Sequence, residues 1–231
     1  MLSSRSMVAP LLLVATLVFS GCQTSSPTNA RRVPGVDPAD TELTNELLEL
    51  DTQIHTLERW LAQYPARVDS DEERRLVTGR WYSIAERSGV LLNVDLDNAE
   101  LFARVGDIYR QGHNLDVPGA AGQASNAFNR CLALANEHVT CRYNLARLYL
   151  ALPPRFAPRA EELLVEAREL VSPEVRPEFE AALAGAFLAQ GRRSAALRQI
   201  DLYLTLRPDD LDAQRFRHEL MIESQDFRRD R

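Results

Sequence analysis

The chain has 231 residues, a net charge of −6, 45% hydrophobic residues and 7% aromatic ones. That is enough apolar material for one domain or one short repeat array, and the acidic balance argues against a nucleic-acid surface. All 27 basic residues are arginine, which excludes chemistry needing a lysine amine, such as Schiff bases or the phosphate-loop lysine.

At the amino terminus, Arg5 gives a positive segment, and Met7 to Phe19 is an apolar run of about 13 residues, short of a membrane span. The run ends in Phe19-Ser20-Gly21-Cys22. Small residues followed by cysteine resemble a bacterial lipobox, although Phe19 stands where leucine is usual. The resemblance implies a signal peptide over 1–21 and lipidation at Cys22, which attaches a chain to one leaflet without spanning it. The plainer alternatives are an ordinary signal peptide with an incidental cysteine, or an uncleaved anchor. Gln23 is not the aspartate that favours inner-membrane retention, so the resemblance points to the outer membrane, facing the periplasm. Export would place Cys131 and Cys141 in an oxidising compartment.

Residues 22–40 are rich in Pro, Ser, Thr, Gly and Asp without an apolar period. They predict a flexible tether with a reach of roughly 20–25 Å. A helix over 42–64 follows, because Leu43, Leu47, Leu50, Ile54, Leu57, Leu61 and Tyr64 fall on one stripe. Asp40 or Thr41 is its expected cap and Pro65 its stop. The stripe reads either as a coiled-coil seam or, more simply, as a face packed on a neighbour. Ser70 with Glu73 forms a capping box for a second helix over 71–91, where Trp81 and Tyr82 are expected in the core. The pair makes an amino-terminal hairpin, 41–95. Asp97 with Glu100 forms the next capping box. Strand signals are nearly absent, so the fold class is all-α.

A period of 36 then sets in. Alanine recurs at Ala124, Ala160 and Ala196, followed four residues on by Phe128, Leu164 and Ile200, seven on by Cys131, Ala167 and Tyr203, and ten on by Leu134, Leu170 and Leu206. Each of these helices is preceded by another with an apolar, small and aromatic signature: Val105-Gly106 with Tyr109, Leu145-Ala146 with Tyr149, Leu183-Ala184 with Phe187. The small residues let paired helices approach closely, the aromatic fills the gap beside them, and Pro208 ends the last hairpin. A period in this range marks a helical repeat array in which neighbours must stack.

These residues resemble the tetratricopeptide (TPR) family, most fully at Leu183, Ala184, Phe187, Gly191, Ala196, Ile200, Tyr203 and Pro208. The resemblance implies a short right-handed α-solenoid with three TPR-like repeats over 96–210, a capping helix over 211–224 and a disordered tail over 225–231. The first unit departs through an inserted loop, Gly112 to Gln123, and there also resembles the related Sel1-like repeats; the second departs through a Pro-rich linker, Leu152 to Pro158. In the family the first helices line a groove for a protein or peptide partner. The matching positions here include Glu100, Asp107, Arg110 and Gln111 in unit one and Tyr143 and Arg147 in unit two, with Glu178, Ala181, Gly185, Leu188 and Ala189 in unit three.

Chemistry is sparse. His55, His113, His138 and His218 show no metal-ligand spacing, and His218-Glu219 lacks the second histidine of a zincin helix because Ile222 stands there. There is no nucleophile elbow or phosphate loop. No catalytic residue, metal, cofactor or small-molecule substrate is expected. Cys131 and Cys141 read either as a disulfide between units one and two or as two buried small hydrophobes. The combined expectation is an outer-membrane lipoprotein that scaffolds protein–protein interaction in envelope assembly, such as pilus, secretion or outer-membrane biogenesis. The alternatives are a self-associating structural lipoprotein and a regulator of a peptidoglycan enzyme.

Overall fold

A computed structural model describes residues 38–229, with side chains over 41–222. The expectations for the signal peptide, for Cys22 and for the tether up to residue 37 lie outside the described residues. So do residues 230–231.

Within that range the chain forms α1 (Pro38–Leu61), α2 (Asp71–Leu92), α3 (Ala99–Asn114), α4 (Ala120–Leu134), α5 (Val139–Ala151), α6 (Ala157–Arg168), α7 (Arg176–Ala189), α8 (Arg193–Leu206) and α9 (Leu211–Arg229). Short 3-10 turns at Pro154–Phe156 and Pro173–Val175 lead into α6 and α7. No strand occurs among the described residues. The helices pair as hairpins that stack in sequence, giving an all-α solenoid of helical repeats.

The caps explain several boundaries. Ser70 accepts the Glu73 N–H at 3.1 Å and starts α2. The Glu73 carboxylate accepts from the Asp69 backbone at 2.7 Å and from Trp60 Nε1 at 2.6 Å, so one cap also ties α2 to α1. For α3 the cap is Asn98, whose Oδ1 accepts the Leu101 N–H at 3.0 Å; Asp97, the expected cap, pairs with Arg130 instead. Asp40 and Thr41 lie inside the first turn of α1, which begins at Pro38, a residue whose fixed φ suits a helix start. α1 ends at Leu61, earlier than expected, and the Tyr64–Pro65 bond that follows is cis. α9 continues to Arg229, past the capping helix expected over 211–224.

The loop expected over Gly112 to Gln123 is mostly helix. α3 runs through Asn114 and α4 starts at Ala120, so the turn is only 115–119, with left-handed backbone at Asp116 and Gly119. Gly112 serves packing rather than looping: a Cβ there would collide with the Trp81 ring of α2. Gly106 plays the same part toward α4, since a Cβ would lie 2.5 Å from the Phe128 ring. Ala146 and Ala184, which hold its place in later units, are fully buried, as are Ala124, Ala160 and Ala196 on the facing helices. Leu170 and Leu206, at the tenth position of the repeat, are instead 43% and 40% exposed, because they fall at or beyond the ends of their helices.

Two apolar cores meet at α3. One runs through the repeats around Phe128, Leu145, Leu164, Leu183 and Ile200. The other lies in the amino-terminal hairpin, where Leu50, Leu57, Leu61, Val77 and Trp81 pack on Leu101 and Ile108. Leu50, Ile54, Leu57 and Leu61 of the expected stripe are therefore spent inside the chain, whereas Tyr64, beyond the end of α1, is exposed. Tyr82, expected in the core, is 56% exposed, whereas Trp81 is buried and donates to Ile108 O at 2.6 Å. A disulfide joins Cys131 at the end of α4 to Cys141 at the start of α5, with their Cα atoms 6.5 Å apart. A loop this short stabilises the folded chain by about 2–3 kcal/mol.

Candidate partner-binding groove

The first helices of the hairpins, α1, α3, α5 and α7, lie side by side along one face. The groove positions carried over from the TPR resemblance lie on α3, α5 and α7. Their surroundings divide into a closed half and an open half.

The closed half belongs to unit one. A helix ends with carbonyls that have no partner of their own, and its carboxyl end attracts positive charge. At the end of α1 those groups meet donors from α3 and α5. Asn114 Nδ2 donates to Leu61 O at 2.8 Å, and Arg147 Nη2 donates to Ala62 O at 2.6 Å. Arg110 Nη1 reaches the same Ala62 oxygen at 3.4 Å, and Gln111 Nε2 donates to Ile54 O at 3.0 Å, inside α1 and about two turns before its end. Arg110 Nε also pairs with Asp107 at 2.6 Å. Further along, Arg104 donates to Leu47 O at 3.3 Å and to Asp51 at 2.7 Å.

Asp107, Arg110 and Gln111 are thus buried beneath α1. This corrects the expectation that they face an incoming partner. The hairpin α1–α2 stacks ahead of unit one, so the face that would open a groove becomes an internal contact. Glu100 remains exposed at the rim, held by Arg104 at 2.7 Å and by His138 at 3.1 Å. Burial pushes its carboxyl up, but the hydrogen bonds and charge offered by Arg104 and His138 outweigh that, and the net effect is a lowered pKa.

The open half belongs to units two and three. Tyr143, Arg147 and Leu150 on α5 and Glu178, Ala181, Gly185, Leu188 and Ala189 on α7 are all partly exposed. The Tyr143 ring packs on Phe179 at 4.9 Å between centroids and lies under Arg147 at 5.7 Å. Burial raises the Tyr143 hydroxyl's pKa. Burial, then repulsion from Arg110, lowers that of Arg147. Both hydrogen bonds of the Arg147 guanidinium go to neutral oxygens, Asn144 Oδ1 and Ala62 O. The carboxylates of Asp107 and Glu58 act on it through space, and the guanidinium suits a further carboxylate presented from outside. Small residues at Ala181, Gly185 and Ala189 leave room for a backbone to approach, and Leu150 and Leu188 add apolar surface.

Sequence reasoning missed Asn114 and Arg104. The signal available was the hairpin stripe itself, since a helix packed on α3 needs polar partners for its carboxyl end.

No family model matches the chain, and no curated protein matches it. Among solved structures it is similar to a thermophilic TPR protein of Thermus thermophilus, with a TM-score of 0.53 and 21% identity over 79% of this chain and 95% of that one. That likeness shows the fold, a TPR-like array of stacked helical hairpins.

Proposed function

We propose that the chain is a periplasmic scaffold, anchored in the outer membrane through Cys22, which holds a protein or peptide partner during envelope assembly. The observation that carries this reading is the open half of the groove. There Arg147, whose hydrogen bonds go to the neutral oxygens of Asn144 and Ala62, adjoins the apolar and small surface of α7. Tyr143 supplies an aromatic anchor of the kind that dominates binding energy at interfaces. The anchor rests on the lipobox resemblance at Phe19-Ser20-Gly21-Cys22. In this reading the chain is a scaffold and not an enzyme. A self-associating protein is the weaker alternative, because Leu50, Ile54, Leu57 and Leu61, the seam it would use, are buried within the chain.

The test is an affinity pull-down of the full chain from its native envelope beside a Leu188→Glu variant. Leu188 is partly exposed on α7 and also packs against the repeat core, so a charge there spoils the groove and the fold of the variant is checked beside it. A partner captured by the parent and lost by a variant with unchanged helical circular dichroism supports the groove. A partner kept by the variant puts the interface elsewhere, and capture of none counts against a scaffold. In the same cells, Cys22→Ala should move the protein from the membrane to the soluble fraction.

A further inference from the structure

The turn between α4 and α5 gathers a donor set that the groove does not use. Cys131 and Cys141 are fully buried, and their sulfurs and one ring nitrogen of His138 lie within 4.8 Å of one another. His138 is the cap of α5, with Nδ1 accepting the Cys141 N–H at 3.4 Å, a long bond that this lone pair would exchange for the metal. A neutral ring that accepts at Nδ1 carries its proton on Nε2, and Nε2 lies 3.1 Å from Glu100 Oε1 on α3. Two sulfurs, and an imidazole whose far nitrogen is held by a carboxylate, are the ligands and outer partner of a tetrahedral zinc centre. Cys141 also sits in the first turn of α5, where backbone N–H groups and the helix dipole favour a thiolate.

We propose that, once the disulfide is reduced, Cys131, His138 and Cys141 hold one Zn2+ ion, with Glu100 orienting the imidazole and a water in the fourth position. A dithiol reductant attacks one sulfur, the S–S bond breaks, and its second thiol resolves the mixed disulfide. Two electrons and two protons pass to the protein thiols, and the reductant leaves as its own disulfide. Zn2+ then displaces both thiol protons to solvent. The sulfurs must part to about 3.8 Å, the separation of two thiolates on one tetrahedral zinc. The turn 135–138 needs only a small opening for that. Cystine and metal are then alternative closures of one turn, and both tie unit one to unit two.

The experiment uses the full chain, reduced with dithiothreitol, desalted without oxygen and titrated with Co2+ as a spectroscopic substitute for Zn2+. The reduced chain should bind one Co2+ with thiolate-to-cobalt charge-transfer and tetrahedral d–d bands that added Zn2+ abolishes. The oxidised chain should show neither. Against a chromophoric chelator, Glu100→Gln should bind Zn2+ about 10–100-fold more weakly, and His138→Ala should lose the tetrahedral spectrum. A reduced chain that keeps its circular dichroism yet takes up no Co2+ overturns the proposal. So does a His138→Ala variant that binds as tightly as the parent, or a helical signal that collapses on reduction and does not return with Zn2+.

Discussion

Arg147 on α5 donates to the carbonyl of Ala62, 2.6 Å away and 85 positions earlier in the chain. The bond skips a hairpin. In a simple repeat array each unit touches only its neighbours, yet here the end of α1 is held by α3 and by α5. The amino-terminal hairpin is therefore part of the array's inner face.

Asn114→Leu tests how much that attachment contributes. Asn114 is 2% exposed and gives Leu61 O its donor. Removing the amide leaves a buried carbonyl at a helix end unmet, at a cost of about 1–3 kcal/mol. Urea unfolding should show the loss, and native-state hydrogen exchange should localise it to α1. A change within about 0.5 kcal/mol, the range of ordinary surface substitutions, would mean that water replaces the amide.

Two glycines should respond in opposite ways to the same methyl group. At Gly106 the new Cβ meets the Phe128 ring, so Gly106→Ala should destabilise by about 1–3 kcal/mol through overpacking. At Gly122, on the exposed side of α4, nothing lies within 4 Å of a Cβ. Gly122→Ala should therefore stabilise by about 0.5–1 kcal/mol through helix propensity. Thermal unfolding reads both. Pairing Gly106→Ala with Phe128→Leu should cost less than the sum of the single changes, and a strictly additive pair would deny the contact.

Asp210 sets an acid-side dependence. Its carboxylate accepts the Tyr203 hydroxyl at 2.6 Å and the Asp212 and Ala213 N–H groups at 3.0 and 2.9 Å, joining α8 to the start of α9. Burial raises its pKa, but these three donors outweigh burial and leave it below the usual carboxylate value. A folded pKa below the unfolded one gives stability that is complete above the unfolded value and is lost as pH falls through the folded one. The loss should appear below about pH 4. Asp210→Asn should flatten that limb of the stability profile while lowering the plateau at neutral pH. An unchanged acid limb in the variant would assign the dependence to other carboxylates.

The solenoid was legible because its determinants are periodic: small residues at Gly106, Ala146 and Ala184 opposite Ala124, Ala160 and Ala196 can satisfy only closely paired helices. What was not legible depends on neighbours distant in sequence. Gly112 looks like a loop residue until the Trp81 ring is placed against it. Asp107, Arg110 and Gln111 look like a solvated face until α1 lies over them. Polar groups at equivalent repeat positions have equal claims to the surface, and only the packing of a further element separates them. Glu178, Ala181, Gly185, Leu188 and Ala189 stay partly exposed because, among the described residues, no helix covers α7 as α1 covers α3, whereas Arg147 on α5 is tied to the end of α1.

The bond between Cys131 and Cys141 also alters how the chain would answer a pull along its length. A stretched solenoid gives way hairpin by hairpin, each releasing its full contour. Tension arriving at Cys131 crosses the sulfurs directly to Cys141, over the 6.5 Å between their Cα atoms, and the residues between them bear no load. The fully extended oxidised chain should be shorter than the reduced one by roughly 30 Å, a difference that single-molecule extension can resolve as one missing step.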